Sequence, residues 1–212
     1  MRARSAALAL AFAALSACGT AQAPRPPVVT HLLAVLPLDH GPGVRPSADR
    51  HDDGAAIVTA QLYRVLSQQT EFRFAPDLSV SDLLATPELR AASGQVGRAV
   101  ALGKALGAEA VIVGTVTAYA PRIGTAFGAS QGASIGFTLG VVEVASGELV
   151  WEGEFAQTQE SLATNFFDAW ILWSAGGRWL TASELAGLGV ERLWPSLTAA
   201  LIADEPEPPS AQ

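Results

Sequence analysis

Apolar and polar positions along this chain switch repeatedly between the strand period and the helix period. Residues 32–38, LLAVLPL, form a short continuous apolar run of the kind a buried parallel strand carries. After a loop rich in Gly, Pro and Asp, Val58, Leu62 and Val65 fall at i, i+4 and i+7, which predicts a helix over 54–68. Asp52 and Asp53 stand at its N-terminal end, where the helix dipole favours negative charge. FRFA at 72–75 predicts a brief strand, and the stretch after it, with Pro76 and Pro87, reads as a polar connection. A second helix is expected over about 90–106, with Val96, Ala99, Val100 and Gly103 on one face and Gly107 as the left-handed residue that ends it.

The β-branched run AVIVGTVTAY at 110–119 is the clearest strand, and two more follow at 133–144 and 148–157. Ala145-Ser146-Gly147 joins those two as a hairpin turn, with Gly available for positive φ. In the last strand Leu149, Trp151 and Phe155 face one way while Val150, Glu152 and Glu154 face the other, so one face is wet. Helical segments are expected at 161–174 and from 182 to about 202. Thr181 and Glu184 form a capping box at the start of the latter, and Pro195 is expected to kink or split it. The order β-α-β-α-β-β-β-α-α predicts one α/β domain, an α+β mixed sheet over 32–203 whose C-terminal strands are antiparallel. Right-handed crossovers are expected to put the first two helices on one sheet face.

The N-terminus departs from this pattern. MRARSAALALAFAALSAC at 1–18 has a basic start, Arg2 and Arg4, and an uncharged apolar run from Ala6 to Leu15 that is too short to span a bilayer. It predicts an export signal over 1–17. Its end, Leu15-Ser16-Ala17-Cys18, resembles the bacterial lipoprotein signal box, in which the cysteine thiolate takes a diacylglyceryl group before cleavage. Cys18 is the only cysteine of the chain, and a thioether there accounts for it in an oxidising compartment. Two chains on the glycerol plus an amide-linked chain would anchor the protein stably, which one chain does not. Gly19 stands where lipoproteins kept in the enteric inner membrane usually carry Asp, so the resemblance implies the periplasmic face of the outer membrane. Residues 18–31 then form an acylated, Pro-rich leash, and the acidic Pro-rich tail at 204–212 is not expected to pack.

Charge narrows the partners further. The chain of 212 residues carries 13 basic against 20 acidic residues, and removing 1–17 with Arg2 and Arg4 leaves 11 against 20, a net −9. A chain this acidic is not expected to bind nucleic acid by counterion release or to be drawn to anionic lipid. Its membrane contact is expected through Cys18 alone.

LAVLPL at 33–38, ALGKALGAEAVIVGTV at 101–116 and VVEVASGELVW at 141–151 occur in that order. Together they resemble the periplasmic superfamily of curli secretion channel subunits, lipoprotein activators of penicillin-binding proteins and the N-terminal domain of the Tol-Pal β-propeller protein. The resemblance covers roughly 32–157 and is carried by structural, apolar motifs. It implies a domain that docks onto envelope machinery or forms rings, with no shared catalytic residues.

Four features invite a functional reading. G-x-S-x-G occurs twice, around Ser130 and Ser134, but a nucleophile elbow needs a strand before it, a helix after it and a histidine downstream, and His31, His40 and His51 all lie upstream. Asp39, His40, Asp49, His51, Asp52 and Asp53 cluster within fifteen residues, yet match no HExxH or EF-hand spacing, and read as a solvated loop with helix-capping carboxylates. No metal and no cofactor is expected. Residues 123–142 carry no charge and place Gly at 124, 128, 132, 136 and 140. They read as a Gly-rich loop entering an ordinary strand, or as a small-polar against apolar membrane hairpin. Phe166, Phe167, Trp170, Ile171, Trp173 and Trp179 form an aromatic segment suited to a core or to an interface.

The expected function is a non-enzymatic binding or adaptor component of envelope assembly or secretion machinery. Its partner-contact residues are expected at Trp170, Trp173 and Trp179 together with the 121–132 loop. The alternative is an oligomeric subunit of a curli-like secretion channel, or of its accessory ring.

Overall fold

The computed structural model describes residues 32–70, 72–159 and 178–203. Its strands are β1 (Leu32–Val35), β2 (Asp39–His40), β3 (Arg73–Phe74), β4 (Ala110–Ala120), β5 (Ile123–Thr125), β6 (Gly128–Gln131), β7 (Ser134–Glu143) and β8 (Leu149–Thr158). All but β5 and β6, which pair with each other, form one mixed sheet in the order β3-β1-β4-β7-β8, with β2 also on β4. Pairing is parallel among β1, β2, β3 and β4 and antiparallel from β4 to β7 to β8. The helices are α1 (Gly54–Leu66), α2 (Asp77–Leu84), α3 (Pro87–Ala91), α4 (Gly94–Leu106) and α5 (Ala182–Ala203). This is the expected mixed α/β domain, with its antiparallel strands at the C-terminal side.

Two helices share a sheet face, but they are α1 and α5. The helix expected over 90–106, observed as α4, lies on the other. Leu33, Val35, Ile112, Ile135, Phe137 and Leu139 pack under α1 and α5, whereas Ala34, Leu36, Val111, Val113 and Val142 pack under α4. The reason is strand order. The chain moves from β1 outward to β3 and then back past β1 to β4, and a right-handed crossover in the reverse direction must use the opposite face.

The prolines account for a second difference. Pro76 and Pro87 are not breakers inside a polar connection: they are the N-cap of α2 and the first residue of α3, where a missing N–H costs nothing. Val96, expected on the buried face of α4, is exposed, and the buried stripe is Ala99, Leu102 and Gly103. A Cβ on Gly103 would stand 2.3 Å from the Val144 side chain, so glycine lets this helix lie close to the sheet. Gly107 ends α4 at φ 67, and Gly147 turns β7 into β8 at φ 73, both as expected. The α5 helix runs through Pro195 without being split, starting from the capping box in which Thr181 and Glu184 bond reciprocally. The helix expected at 161–174 lies outside the described residues.

Candidate functional site

The 121–132 segment is not a loop. It contains the small sheet of β5 against β6, an antiparallel pair that projects where β4 ends and β7 begins. Gly124 has φ 108, and a Cβ there would meet the Gly128 carbonyl at 2.6 Å, so only glycine fits. At its turn Phe127 is 85% exposed and at its base Ile123 is 53% exposed, in a hairpin otherwise made of Gly, Ser, Thr, Ala and Gln.

Residues 178–181 strap this hairpin to the domain. The Trp179 N–H donates to the Ala126 carbonyl at 2.7 Å, the Arg122 guanidinium donates to the Trp179 carbonyl, and the Trp179 ring lies over Gly132. Gln159, buried at the end of β8, accepts from the Leu180 N–H at 2.7 Å, donates to the Arg178 carbonyl at 3.3 Å and bonds Ala133 through its own N–H. Glu184 closes the strap, accepting both outer nitrogens of Arg178 at 3.0 and 2.6 Å and the Thr181 N–H at 2.8 Å. Hydrogen bonds from Arg178 first, and from Thr181, outweigh partial burial and bring the Glu184 carboxyl down to about 2.

A carboxyl depressed on folding contributes stability that is present above its unfolded value, roughly 4.3, and is lost as pH falls through the folded value. Amide exchange at 178–181, corrected for intrinsic rates, is therefore expected to stay protected down to about pH 4 and to accelerate between roughly pH 4 and 2. Glu184→Gln is expected to give the accelerated rate at neutral pH. Unchanged protection in that variant would contradict the assigned role of the ion pair.

Of the residues expected to contact a partner, Trp179 is therefore joined directly to the 121–132 segment. Trp170, Trp173 and the lipid-attachment residue Cys18 lie outside the described residues. Arg122 and Gln159 were not singled out by sequence, because their side chains bond backbone groups 19 to 57 residues away, and Arg178 was not, because its partner Glu184 reads in sequence only as a capping residue. The one local signal was the Thr181–Glu184 capping box, whose carboxylate also binds Arg178.

The hairpin sits far from the start of β1, at Leu32. Leu33 is level with Ala110 in the β1–β4 register, and the hairpin leaves β4 after Ala120, ten residues or about 33 Å further along the strand. The α5 helix begins at the hairpin end, beside Gln159, and runs back until the Trp194 ring meets Phe72 edge-on at 6.1 Å, next to β3. The start of β1 and the C-terminal part of α5 thus share one end of the sheet, and the uncharged hairpin holds the other.

The acidic and histidine cluster is occupied by structure. Asp53, buried rather than solvated, caps α1 through the Ala56 N–H at 2.8 Å, accepts the Ser47 N–H at 2.8 Å and pairs with His40 Nε2 at 2.9 Å. Burial pushes its carboxyl up, and these bonds more than offset that, leaving it below the usual carboxylate range. Asp39 is held by Arg98 and Gln95, and Asp49 accepts the His51 N–H. Among the described residues no group of three or more His, Cys, Asp or Glu is placed to hold a metal. Ser130 donates to the Ile123 carbonyl and Ser134 pairs with Thr158, both within strands and neither on a strand-to-helix elbow. No described helix is long and apolar enough to cross a membrane.

No protein-family model and no curated protein matches the chain. Solved structures similar to it include lipoprotein GNA1162 from Neisseria meningitidis, at 19% identity and a TM-score of 0.41, covering 68% of this chain and 92% of that one. The LpoB C-terminal domain from Escherichia coli is similar at 18% identity and a TM-score of 0.39, covering 61% and 83%. The PelC dodecamer from Paraburkholderia phytofirmans is similar at 15% identity and a TM-score of 0.37, covering 79% and 89%. The likenesses are distant, and no residue or role is carried over from them.

Proposed function

We propose that this chain is an exported, diacylated lipoprotein, held at the periplasmic face of the outer membrane through Cys18, that acts as a non-enzymatic adaptor for envelope assembly or secretion machinery. The observation that carries this reading is polarity: β1, into which the proposed leash would lead, starts at one end of the sheet, and the strapped, uncharged hairpin with its exposed Phe127 stands at the other. A tether of that kind confines the domain near the membrane and raises its effective concentration for a protein partner, while the hairpin is free to face away from the anchor. The strap fixes the hairpin in advance, so less ordering cost is left for the moment of binding.

The second reading, a subunit of a curli-like secretion channel or its accessory ring, draws on the charge-free run 123–142. Light scattering with detergent correction separates the two. The adaptor reading expects protomer-sized particles from both the detergent-extracted protein and a soluble form without residues 1–18. A closed ring confined to the extracted protein would replace it with the channel reading.

A further inference from the structure

The edge of β4 facing β2 is covered only in part. Strand β2 pairs with Thr115 and Val116, and the Gly41 N–H to the Val116 carbonyl, 2.8 Å, is its last rung. There the chain turns away. A Cβ on Gly41 would stand 2.8 Å from that carbonyl, Pro42 cannot donate, and Gly43 at φ 86 swings the backbone outward. The arch so formed is tied down at both feet, by the Val44 N–H on the Gly41 carbonyl and the Ser47 N–H on Asp53. Meanwhile β4 runs on to Ala120, paired with β7 on its other side. Among the described residues no hydrogen bond reaches Thr117, Ala118, Tyr119 or Ala120 from the side of the arch.

Between arch and strand edge lies an open cleft of about 790 Å³, with Pro42, Val44, Pro46 and the half-buried Tyr119 in its walls. Its lining also includes Arg45 and Asp52, both exposed, and neither side chain enters an ion pair or a hydrogen bond among the described residues. The cleft opens where the parallel strands end, at the point where α1 and α4 diverge to opposite faces, the usual place for ligands in open α/β sheets.

We infer that this cleft receives an extended peptide segment of a protein partner, about four residues long, that continues the interrupted β2 along β4 as an added strand. Unpaired strand edges take peptides by main-chain hydrogen bonding, and the pockets beside them set side-chain preference. The Tyr119 ring and the proline walls suit apolar side chains on one face of the segment. Charge complementarity sets its ends: Arg45 takes a carboxylate, and Asp52 takes a basic group. This site is separate from the hairpin tip and does not depend on it.

The test uses the full-length chain in mild detergent and a phage-displayed library of random nine-residue peptides, with enriched sequences resynthesised for binding and for hydrogen–deuterium exchange. Expected are peptides with an apolar centre and an acidic residue that slow exchange at 115–120 and 41–48. They are expected to bind at least tenfold more weakly to Thr117→Arg, which fills the cleft from an exposed position, and equally well to Phe127→Ser. Arg45→Glu is expected to exchange the acidic preference for a basic one, which keeps the test decisive if Thr117→Arg folds poorly. No enrichment, slowed exchange only at other sites, or binding that falls with Phe127→Ser and not with the cleft variants would overturn the inference.

Discussion

A Cys18→Ser chain is expected to keep residues 1–17, to carry no acyl mass and to be missing from the outer membrane. The lipoprotein signal box implies that cleavage follows transfer of the diacylglyceryl group to the thiolate, so a hydroxyl at position 18 blocks both steps. Intact-mass measurement reads this directly. The wild-type chain should begin at residue 18 with three acyl chains, an anchor that two-signal arithmetic makes essentially permanent. Exchanging residues 1–18 for an ordinary secretory signal should move essentially all of the protein to the soluble periplasm, since it removes the proposed acylation site Cys18 and the acidic chain that is left is not drawn to anionic lipid. A Cys18→Ser chain still trimmed to residue 18 and still bound to the outer membrane would contradict the lipid anchor.

The second large effect is expected at Gly132. A Cβ at this position would lie 1.8 Å from the Gln159 carbonyl oxygen and 2.9 Å from the Trp179 ring, and the nearer of these is backbone that cannot swing aside. Gly132→Val should therefore part the hairpin base from β8 and leave the buried Gln159 side chain badly placed for Arg178 and Leu180. Overpacking of this kind costs about 3 kcal/mol, which for a domain this size lowers Tm by roughly 6–12 °C. Gly97 is the matched control. It lies inside α4 with open space where a Cβ would stand, so Gly97→Ala should stabilise the domain by roughly 0.5–1 kcal/mol through helix propensity. Thermal melts of both variants check the pair, and equal melting temperatures would contradict the packing described at the hairpin base.

Much of the scaffold was legible because its signals are local. The β-branched run of β4, the alternation in β8, the αL glycine after α4 and the Thr181–Glu184 box each depend on residues a few positions apart. The opposite placement of α1 and α4 was not, because periodicity identifies a buried helix face but says nothing of strand order, and strand order decides the side. The β5–β6 hairpin escaped notice for another reason: Gly, Ala, Ser and Gln have little strand propensity, and its geometry is set by Gly124 and by the strap from Trp179. Even so, Trp179 and the 121–132 segment were marked by composition alone, one for its aromatic ring and the other for its lack of charge. Their contact depends on Gln159 and Arg122, polar residues that give no sign in sequence of the backbone groups they will meet.

The adaptor account turns on which end of the sheet meets the partner, and site-specific photocrosslinking in intact cells tests that most directly. A benzophenone side chain would replace Phe127 at the hairpin tip in one strain and Leu78, which is 78% exposed on α2, in another. The account predicts a discrete crosslink to an envelope protein from position 127, lost when Gly132→Val disrupts the hairpin base, and none of that product from position 78. Crosslinks from 127 only to lipid or to other copies of this chain, or the same product from both positions, would contradict it.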